Sequence, residues 1–330
     1  MDDGSWASQV GQCGDMSSEV PVTAPAPAGA RPLTADDLRA TGLAGEDLRR
    51  AARAGSLVRV RHGAYVPAGA WTSADEAEQH RLRVRAAARR MAAPVFALES
   101  AAAVWRLPLL GGWPSDVQVL LPVSRGTTST PGVRRHRVAA VPATRLVDGV
   151  TVTTVARTVV DLARTGSFAR GLVLADHALR RSRLNTQDLA REVAWAGSGR
   201  GVRGARRVVD EAHAGAESPG ESLSRARMIE LGLPRPALQH EVRDRGGLVG
   251  RVDFFWQDQG VVGEFDGRLK YRAGGVGDRT AAEDRVWAEK RREDRLRAAG
   301  LRVVRWTWQD ALDPARLARV LAAAGIRPPT

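Results

Sequence analysis

Two neighbouring apolar runs between residues 251 and 267 carry acidic residues where a strand-forming sequence normally avoids them. In RVDFFWQDQGVVGEFDG, Asp253 interrupts one run, and Glu264 and Asp266 stand on either side of Phe265 at the end of the other. An ionised carboxylate buried in a sheet is costly unless a cation or a set of hydrogen-bond donors compensates it. We therefore expect the two runs to fold so that their carboxylates lie together beside a cation or a set of hydrogen-bond donors.

The spacing of these acids predicts that they share one face of a sheet. Asp253 and Glu264 lie 11 residues apart across the short turn Gln-Asp-Gln-Gly, so a hairpin places both carboxylates near the end of the sheet. Carboxylate oxygens select Mg²⁺ or Mn²⁺, and such a cation beside a phosphodiester polarises it and activates water. The alternative is a pair of strand-end acids bonded to Arg251, Arg268 or Arg305.

Around this hairpin the sequence predicts a mixed sheet flanked by helices. Apolar runs bounded by Gly and charged turns indicate strands, and longer segments with helical periodicity indicate helices. The predicted elements are helix 219–231, strands 236–243, 249–256 and 260–265, helix 281–299, strand 301–306 and helix 313–324. Glu221, in the first turn of the first helix, is expected to join the acids of the hairpin.

A resemblance to a known group of enzymes rests on three acids: Glu221 on the helix, Asp253 in GRVDFFW and Glu264 in VVGEFDG. With them, residues 217–311 resemble the PD-(D/E)XK nuclease superfamily, in particular the branch similar to very-short-patch-repair endonucleases. The resemblance implies that Asp253 and Glu264 hold Mg²⁺ or Mn²⁺ and that Glu221 orients metal or water. The sequence departs from this family two residues after the second acid, where Asp266 replaces the usual lysine.

Lys270 is the residue expected to act in place of that lysine. It follows in DGRLKY and is one of only two lysines among the 50 basic residues. A lysine ammonium is compact and can lose its proton, unlike a guanidinium, and the resemblance implies that it stabilises charge on the attacked phosphate. The predicted catalytic set is Glu221, Asp253, Glu264, Asp266 and Lys270.

The first 70 residues predict a DNA-binding domain behind a disordered tail. Residues 1–30 hold few large apolar side chains and are expected to be disordered. Thr34 predicts the N-cap of a first short helix, AGEDLRRAARAGSL predicts a second, and SLVRVRHGAYVPAG predicts a hairpin with arginines on one face. This is the pattern of a winged helix-turn-helix. The predicted DNA contacts are Arg49, Arg50, Arg53, Arg59 and Arg61; alternatively, the helix arginines form only a solvated face.

The segment 71–215 alternates predicted helices with short strands. The predicted helices are 74–91, 98–106, 154–164, 168–181, 186–195 and 202–212, and the strands are 117–121, 133–138 and 150–152. Through LVRVRHGAYVP, ESAAAVWRLP and TTVARTVVDLA, residues 32–68 and this segment resemble AbiEi-type antitoxins of the type IV abortive-infection systems. The resemblance implies a DNA-binding regulator with a partner toxin.

The charge of the chain indicates a polyanionic partner. The net charge is +13, and the basic excess lies mainly in residues 31–216, since residues 217–330 hold 21 basic and 17 acidic residues. Clustered arginines neutralise phosphates and release counterions. DNA is therefore the expected partner, although a genomic base bias is an alternative source of the arginines.

Together these patterns predict an α/β (α+β) chain that acts on DNA in the cytoplasm. No apolar run approaches the roughly 20 residues that span a membrane, and the single cysteine, Cys13, excludes internal disulfides and cysteine-based zinc sites. The predicted parts are a tail (1–30), a winged helix (31–70), an antitoxin-like middle domain (71–215) and a restriction-endonuclease-like domain (216–330). Two functions remain open. One is a Mg²⁺-dependent endonuclease, favoured by Asp253 and Glu264; the other is a non-catalytic AbiEi-like regulator with a degenerate nuclease fold, favoured by Asp266.

Overall fold

The computed structural model describes residues 32–34, 37, 45–123, 129–182, 184–267 and 279–329. These residues form helices and several sheets, which confirms the mixed α and β class at that level. The chain divides into two compact units, Met1–Thr158 and Val159–Thr330. The predicted tail 1–30 lies outside the described residues, and the predicted boundaries after residues 70 and 215 remain predictions.

A reciprocal pair of hydrogen bonds links Thr34, in the first strand of the first unit, to Asp37. The Asp37 backbone N donates to Thr34 Oγ1 (3.2 Å), and the Thr34 backbone N donates to the Asp37 carboxylate (2.8 Å). This reciprocal pair has the form of a capping box at the predicted N-cap, while residues 35–36 and 38–44 of the predicted first helix lie outside the described residues. The elements that follow are strand β1 (Leu33–Thr34), helix α1 (Gly45–Arg53), strand β2 (Leu57–Arg61) and strand β3 (Ala64–Pro67), with the sheet order β1-β3-β2.

The β2–β3 hairpin forms as predicted, but its arginines do not alternate simply. The pairing shifts between Arg59 and Arg61, which are opposite Tyr65 and Ala64, so Val60 is the extra residue of a β-bulge. Arg59 is exposed, whereas Arg61 is half-buried. The expectation that both arginines occupy one face is wrong here, because the bulge interrupts the two-residue period on which it rested.

The rest of the first unit is a five-stranded sheet with helices packed on it. Its elements are α2 (Ala68–Thr72), α3 (Glu76–Ala88), β4 (Val95–Phe96), α4 (Leu98–Val104), β5 (Val117–Pro122), β6 (Val133–Val138), β7 (Thr144–Val147) and β8 (Val150–Thr153). Val84 of α3 and Ala101 of α4 are buried in one core with Phe96 and Val119. The strand order β6-β5-β4-β8-β7 leaves β6 and β7 at the edges.

The second unit opens with a group of helices around a buried central helix. They are α5 (Val155–Thr165), which begins just before the division, α6 (Phe168–Arg181), α7 (Thr186–Trp195), α8 (Val202–Glu211) and α9 (Pro219–Glu230). Helix α6 packs against α8 and α9, and its Leu172 and Leu174 are fully buried. In the described part of the chain, none of the helices combines the length and apolar character needed to cross a membrane.

A four-stranded sheet completes the second unit. Its elements are β9 (Ala237–Asp244), β10 (Gly247–Trp256), β11 (Val261–Asp266), α10 (Arg279–Ala298) and β12 (Arg302–Thr307), followed by α11 (Trp308–Leu312) and α12 (Pro314–Ala323). The strand order is β12-β11-β10-β9, with β11 and β12 parallel and the other pairs antiparallel. The predicted succession of helix, three strands, helix and strand is confirmed.

Two tryptophans of this sheet, Trp256 and Trp306, are core residues. Trp256 and Trp306 are buried with Phe254, and the Trp306 indole N donates to Ser224 Oγ of α9 (2.7 Å). Gly263 of β11 lies under these rings, where an added Cβ would come within 2.6 Å of Trp306. The absence of a side chain at this position lets the indole close over the sheet.

A buried ion pair joins α6 to α9. The Arg225 guanidinium donates to both carboxylate oxygens of Asp176 (2.6 and 2.8 Å), and the His213 backbone N donates to the same carboxylate (2.9 Å). Burial raises the pKa of Asp176, while Arg225 opposes that rise. Removal of one partner from such a pair leaves an uncompensated charge in the interior.

We expect Asp176→Asn to lower the free energy of unfolding by about 3–5 kcal/mol, because the Arg225 charge stays buried without its counterion. Urea unfolding of the purified chain measures this loss. Glu211→Gln is the matched control, since Glu211 pairs with the exposed Arg235 and such pairs contribute only about 0–1 kcal/mol. Equal losses for the two variants would contradict the assignment.

Candidate functional site

Glu221 is fixed in the first turn of α9. The Ser218 side chain caps this helix by accepting from the Glu221 backbone N (3.2 Å), and Pro219 occupies the first turn. The Glu221 carboxylate, although buried, accepts from the Glu217 backbone N (2.7 Å) and from Gln239 Nε2 (2.9 Å). The predicted helical acid therefore points at strand β9.

Asp253 meets the same amide from the neighbouring strand. Its Oδ1 accepts from Gln239 Nε2 (3.2 Å), and its Oδ2 accepts from the Phe265 backbone N of β11 (2.9 Å). One Gln239 side chain thus donates to both Glu221 and Asp253. Two of the three predicted acids are brought together, and a neutral donor holds them.

Gln239 is a site residue that the sequence analysis missed. Its backbone is in the left-handed region, with φ of 53° in the middle of β9. A residue other than glycine in this region costs roughly 1–3 kcal/mol, and such residues concentrate at functional sites. The sequence shows only an amide side chain within a predicted strand, which by itself does not distinguish Gln239 from its neighbours.

The environment of Asp253 disfavours its charge. The pKa of Asp253 is raised to about 6. Burial is the main cause of this rise, and the negative charges of Glu221 and Glu264 contribute to it. The hydrogen bonds from Phe265 and Gln239 act in the opposite direction. Asp253 is therefore the acid of this group whose protonation changes just below neutral pH.

Glu264 has a different set of partners. Its Oε1 accepts from Arg292 Nη2 of α10 (2.6 Å), and its Oε2 accepts from Arg305 Nε of β12 (3.2 Å). Glu289 of α10 binds the same two arginines. The contact of Glu264 with Arg305 is the one expected if Glu264 is a strand-end acid bonded to an arginine. Arg251, another arginine named in that alternative, instead pairs with Glu217 (2.8 Å).

The contacts of Glu221, Asp253 and Glu264 determine whether these three acids can bind a divalent cation together. The Glu221 and Asp253 oxygens are hard ligands of the kind that Mg²⁺ prefers, but guanidiniums occupy both oxygens of Glu264. Among the described residues, no group of three His, Cys, Asp or Glu side chains is arranged to hold a metal ion. In this arrangement the three acids do not form a complete cation site, and Mg²⁺ or Mn²⁺ binding stays a prediction.

The two remaining members of the predicted catalytic set lie at and beyond the end of β11. Asp266 is exposed and pairs in register with Thr307 of β12. Lys270 lies outside the described residues, so its predicted role stays a prediction.

The predicted DNA-contacting arginines of α1 lie on the surface of the first unit. Arg49 and Arg50 are exposed and form long ion pairs within the helix, with Glu46 (3.8 Å) and Asp47 (3.5 Å). Exposed pairs of this kind contribute about 0–1 kcal/mol. Either guanidinium can therefore exchange its carboxylate for a phosphate at little cost.

The other predicted DNA contacts are distributed around the end of α1 and the hairpin. Arg53 is exposed and donates to the Arg49 carbonyl oxygen (3.3 Å). Arg59 Nη2 lies 2.7 Å from His62 Nδ1 at the hairpin turn. Arg61 is half-buried, and burial followed by the charges of Arg135 and Arg90 lowers its pKa.

Comparison with known families identifies the segment that carries these arginines. Residues 27–68 match a family model described as "Transcriptional regulator, AbiEi antitoxin". This N-terminal segment is therefore similar to the AbiEi-type antitoxin domain. This confirms the N-terminal part of the resemblance, and the match does not extend to the acidic site of the second unit.

Two curated relatives share part of the sequence. They are "Uncharacterized protein MT2308" of Mycobacterium tuberculosis (strain CDC 1551 / Oshkosh) and "Uncharacterized protein Rv2248" of Mycobacterium tuberculosis (strain ATCC 25618 / H37Rv). Each is 37% identical over 128 residues, which are 39% of this chain and 47% of the relative. The matched region thus spans about half the length of these relatives, and their printed names assign no activity.

The raised pKa of Asp253 predicts a pH-dependent loss of stability. The folded-state pKa of Asp253, about 6, lies above the ordinary value of 3.8, so protonation of Asp253 stabilises the fold, and this contribution is fully present below pH 3.8. This contribution is lost as the pH rises through 6. In metal-free buffer we expect the stability of Asp253→Asn relative to the unsubstituted chain to increase by about 1 kcal/mol between pH 5 and 7.5. Urea unfolding at both pH values measures it, and a pH-independent difference would show that Asp253 titrates normally.

Proposed function

We propose that this chain is a DNA-binding transcriptional regulator of the AbiEi antitoxin type. The observation that supports it is the family match over residues 27–68, which contains all five predicted DNA-contacting arginines. In this proposal residues 31–70 form a winged helix, with α1 as the recognition helix and the β2–β3 hairpin as the wing. The function also implies a partner toxin.

The electrostatics of α1 suit this role. Its acidic residues lie in the first turn and Arg50 and Arg53 lie in the last turn, so the charges follow the helix dipole and support the helix. The arginines are exposed and only weakly paired, so little free energy is lost when they turn to DNA phosphates or base edges. Thr34 and Asp37 exchange the hydrogen bonds of a capping box, which agrees with the first helix of a winged helix starting there.

The binding test compares two matched pairs of arginine substitutions. Arg49→Gln with Arg50→Gln removes charge from α1, and we expect it to weaken duplex binding by about 10-fold or more at moderate salt, because each lost phosphate contact removes counterion release. The control is Arg203→Gln with Arg206→Gln on α8, where both arginines are exposed. Fluorescence anisotropy on duplex DNA from the upstream region of the coding sequence gives both affinities. Equal losses for the two pairs would contradict a specific role for α1.

A second candidate function is metal-dependent cleavage of DNA by residues 216–330. The observation that favours it is the Gln239 amide that holds the carboxylates of Glu221 and Asp253 together. Two carboxylates that share a single donor suit a cation site, and the order of helix and strands agrees with the nuclease resemblance. Against it stand the Arg292 and Arg305 contacts of Glu264 and the presence of Asp266 where the family has lysine.

Substitution of the strand acid separates the two functions. If residues 216–330 cleave DNA, Asp253→Asn abolishes Mg²⁺- or Mn²⁺-dependent cleavage, while DNA affinity stays unchanged or rises because a negative charge is removed. Glu241→Gln is the control, since Glu241 is exposed on β9 and pairs with Arg243. Cleavage of duplex, single-stranded and mismatched DNA is followed on gels. An unsubstituted chain that binds DNA but cleaves none of these substrates leaves the regulator function alone.

A further inference from the structure

Three guanidiniums from separate elements of the first unit converge beside the β2–β3 hairpin. Arg61 ends β2, Arg90 follows α3, and Arg135 lies on β6. The Arg90 side chain lies over the hairpin turn, since its Nε is 3.5 Å from the position that a Cβ on Gly63 would occupy. The charges of Arg135 and Arg90 both act on the half-buried Arg61. The hairpin therefore adjoins a cationic region contributed by the five-stranded sheet.

Strand β6 extends this region along one edge of the sheet. Its sequence, VRRHRV, exposes Arg134 and Arg137, while Arg135 is half-buried. Arg135 is oriented by hydrogen bonds from its backbone N to Ser129 Oγ (3.0 Å) and from Nη1 to Thr130 Oγ1 (3.1 Å). Arg137 donates to the Val123 carbonyl oxygen (3.1 Å). These contacts hold Arg135 and Arg137 in place on β6.

The sequence reinforces this charge arrangement. Between Asp116 and Asp148 the chain contains five arginines and no aspartate or glutamate. Three of them, Arg134, Arg135 and Arg137, lie on β6, whereas Arg145 lies on the opposite edge strand β7. Like charges brought together by folding repel one another, and a polyanion that lies across them relieves the repulsion and releases its own counterions.

We propose that β6, together with Arg61 and Arg90, is a second phosphate-binding surface that contacts the backbone of duplex DNA beside the segment bound by α1. This inference rests on the proposed DNA-binding function and adds a contact outside residues 27–68. A duplex fits better than a single strand, because single-strand binding relies on exposed aromatic rings for base stacking. In the described part of the first unit, the large exposed apolar side chains are aliphatic: Val123, Val141 and Leu146.

The first test neutralises the exposed arginines of β6. Arg134→Gln with Arg137→Gln lowers the slope of log affinity against log salt by about 1–2 units and weakens duplex binding about 10-fold at low salt. The control is again Arg203→Gln with Arg206→Gln. In a second comparison of duplex affinity, we expect Arg135→Gln on β6 to weaken binding more than Arg145→Gln on the opposite edge strand β7. Because Arg134, Arg137 and Arg145 are exposed, we expect their substitution to leave the fold intact, and thermal unfolding of each variant checks this.

Duplex length provides a readout that general destabilisation does not alter. The unsubstituted chain gains affinity when the duplex is extended by about 10 base pairs, one helical turn, beyond the shortest bound fragment. The β6 variant loses this gain, whereas the Arg49→Gln/Arg50→Gln variant loses affinity on both lengths.

The outcomes separate this inference from the function on which it rests. If the α1 variant loses DNA binding while the β6 variant keeps its salt slope and length dependence, the second surface is overturned and the proposed regulator stands. If the β6 variant keeps DNA binding but no longer binds an acidic protein partner, the surface serves a protein and the inference is wrong. If the unsubstituted chain shows no salt-dependent binding to any duplex, both fail.

Discussion

The buried and half-buried carboxylates of the second unit constrain its architecture, because each is matched by donors from another element. Asp176 of α6 requires Arg225 of α9, Asp253 of β10 requires the Phe265 backbone N of β11, and Glu264 requires Arg292 of α10. An unmatched charge in such positions costs several kcal/mol. The helices and strands are therefore joined at specific registers by polar contacts, while residues such as Trp256 supply the apolar core.

Much of the fold could be predicted because it follows from local sequence patterns. The helix that begins at Pro219 has a serine cap and a first-turn acid, and the strands around Asp253 and Glu264 are short apolar runs separated by a turn. Their order along the chain then restricts the sheet to few arrangements. Two-residue strands such as Val95–Phe96 were missed, because two residues show no periodicity.

The candidate site was only partly predictable, because its decisive contacts join residues far apart in sequence. Gln239 reaches both Glu221 and Asp253 from a left-handed backbone conformation, and no rule of strand alternation indicates such a residue. The arginine partners of Glu264 come from α10 and β12, 28 and 41 residues away. Local composition shows that arginine is abundant, but it does not show which guanidinium reaches which acid.

The position of β6 at the edge of its sheet has a consequence for self-association. An edge strand exposes unpaired backbone groups that can accept a strand from another molecule, and charged side chains along it oppose this pairing. Part of this edge is already occupied, since Val133 exchanges backbone hydrogen bonds with Thr130 and the Arg135 backbone N donates to Ser129 Oγ. Arg134 and Arg137 add two positive charges along the edge, so two copies that approach edge to edge repel each other. High salt or a bound polyanion weakens that repulsion, but the bonds from Thr130 and Ser129 still occupy backbone groups that a strand of a second copy would need.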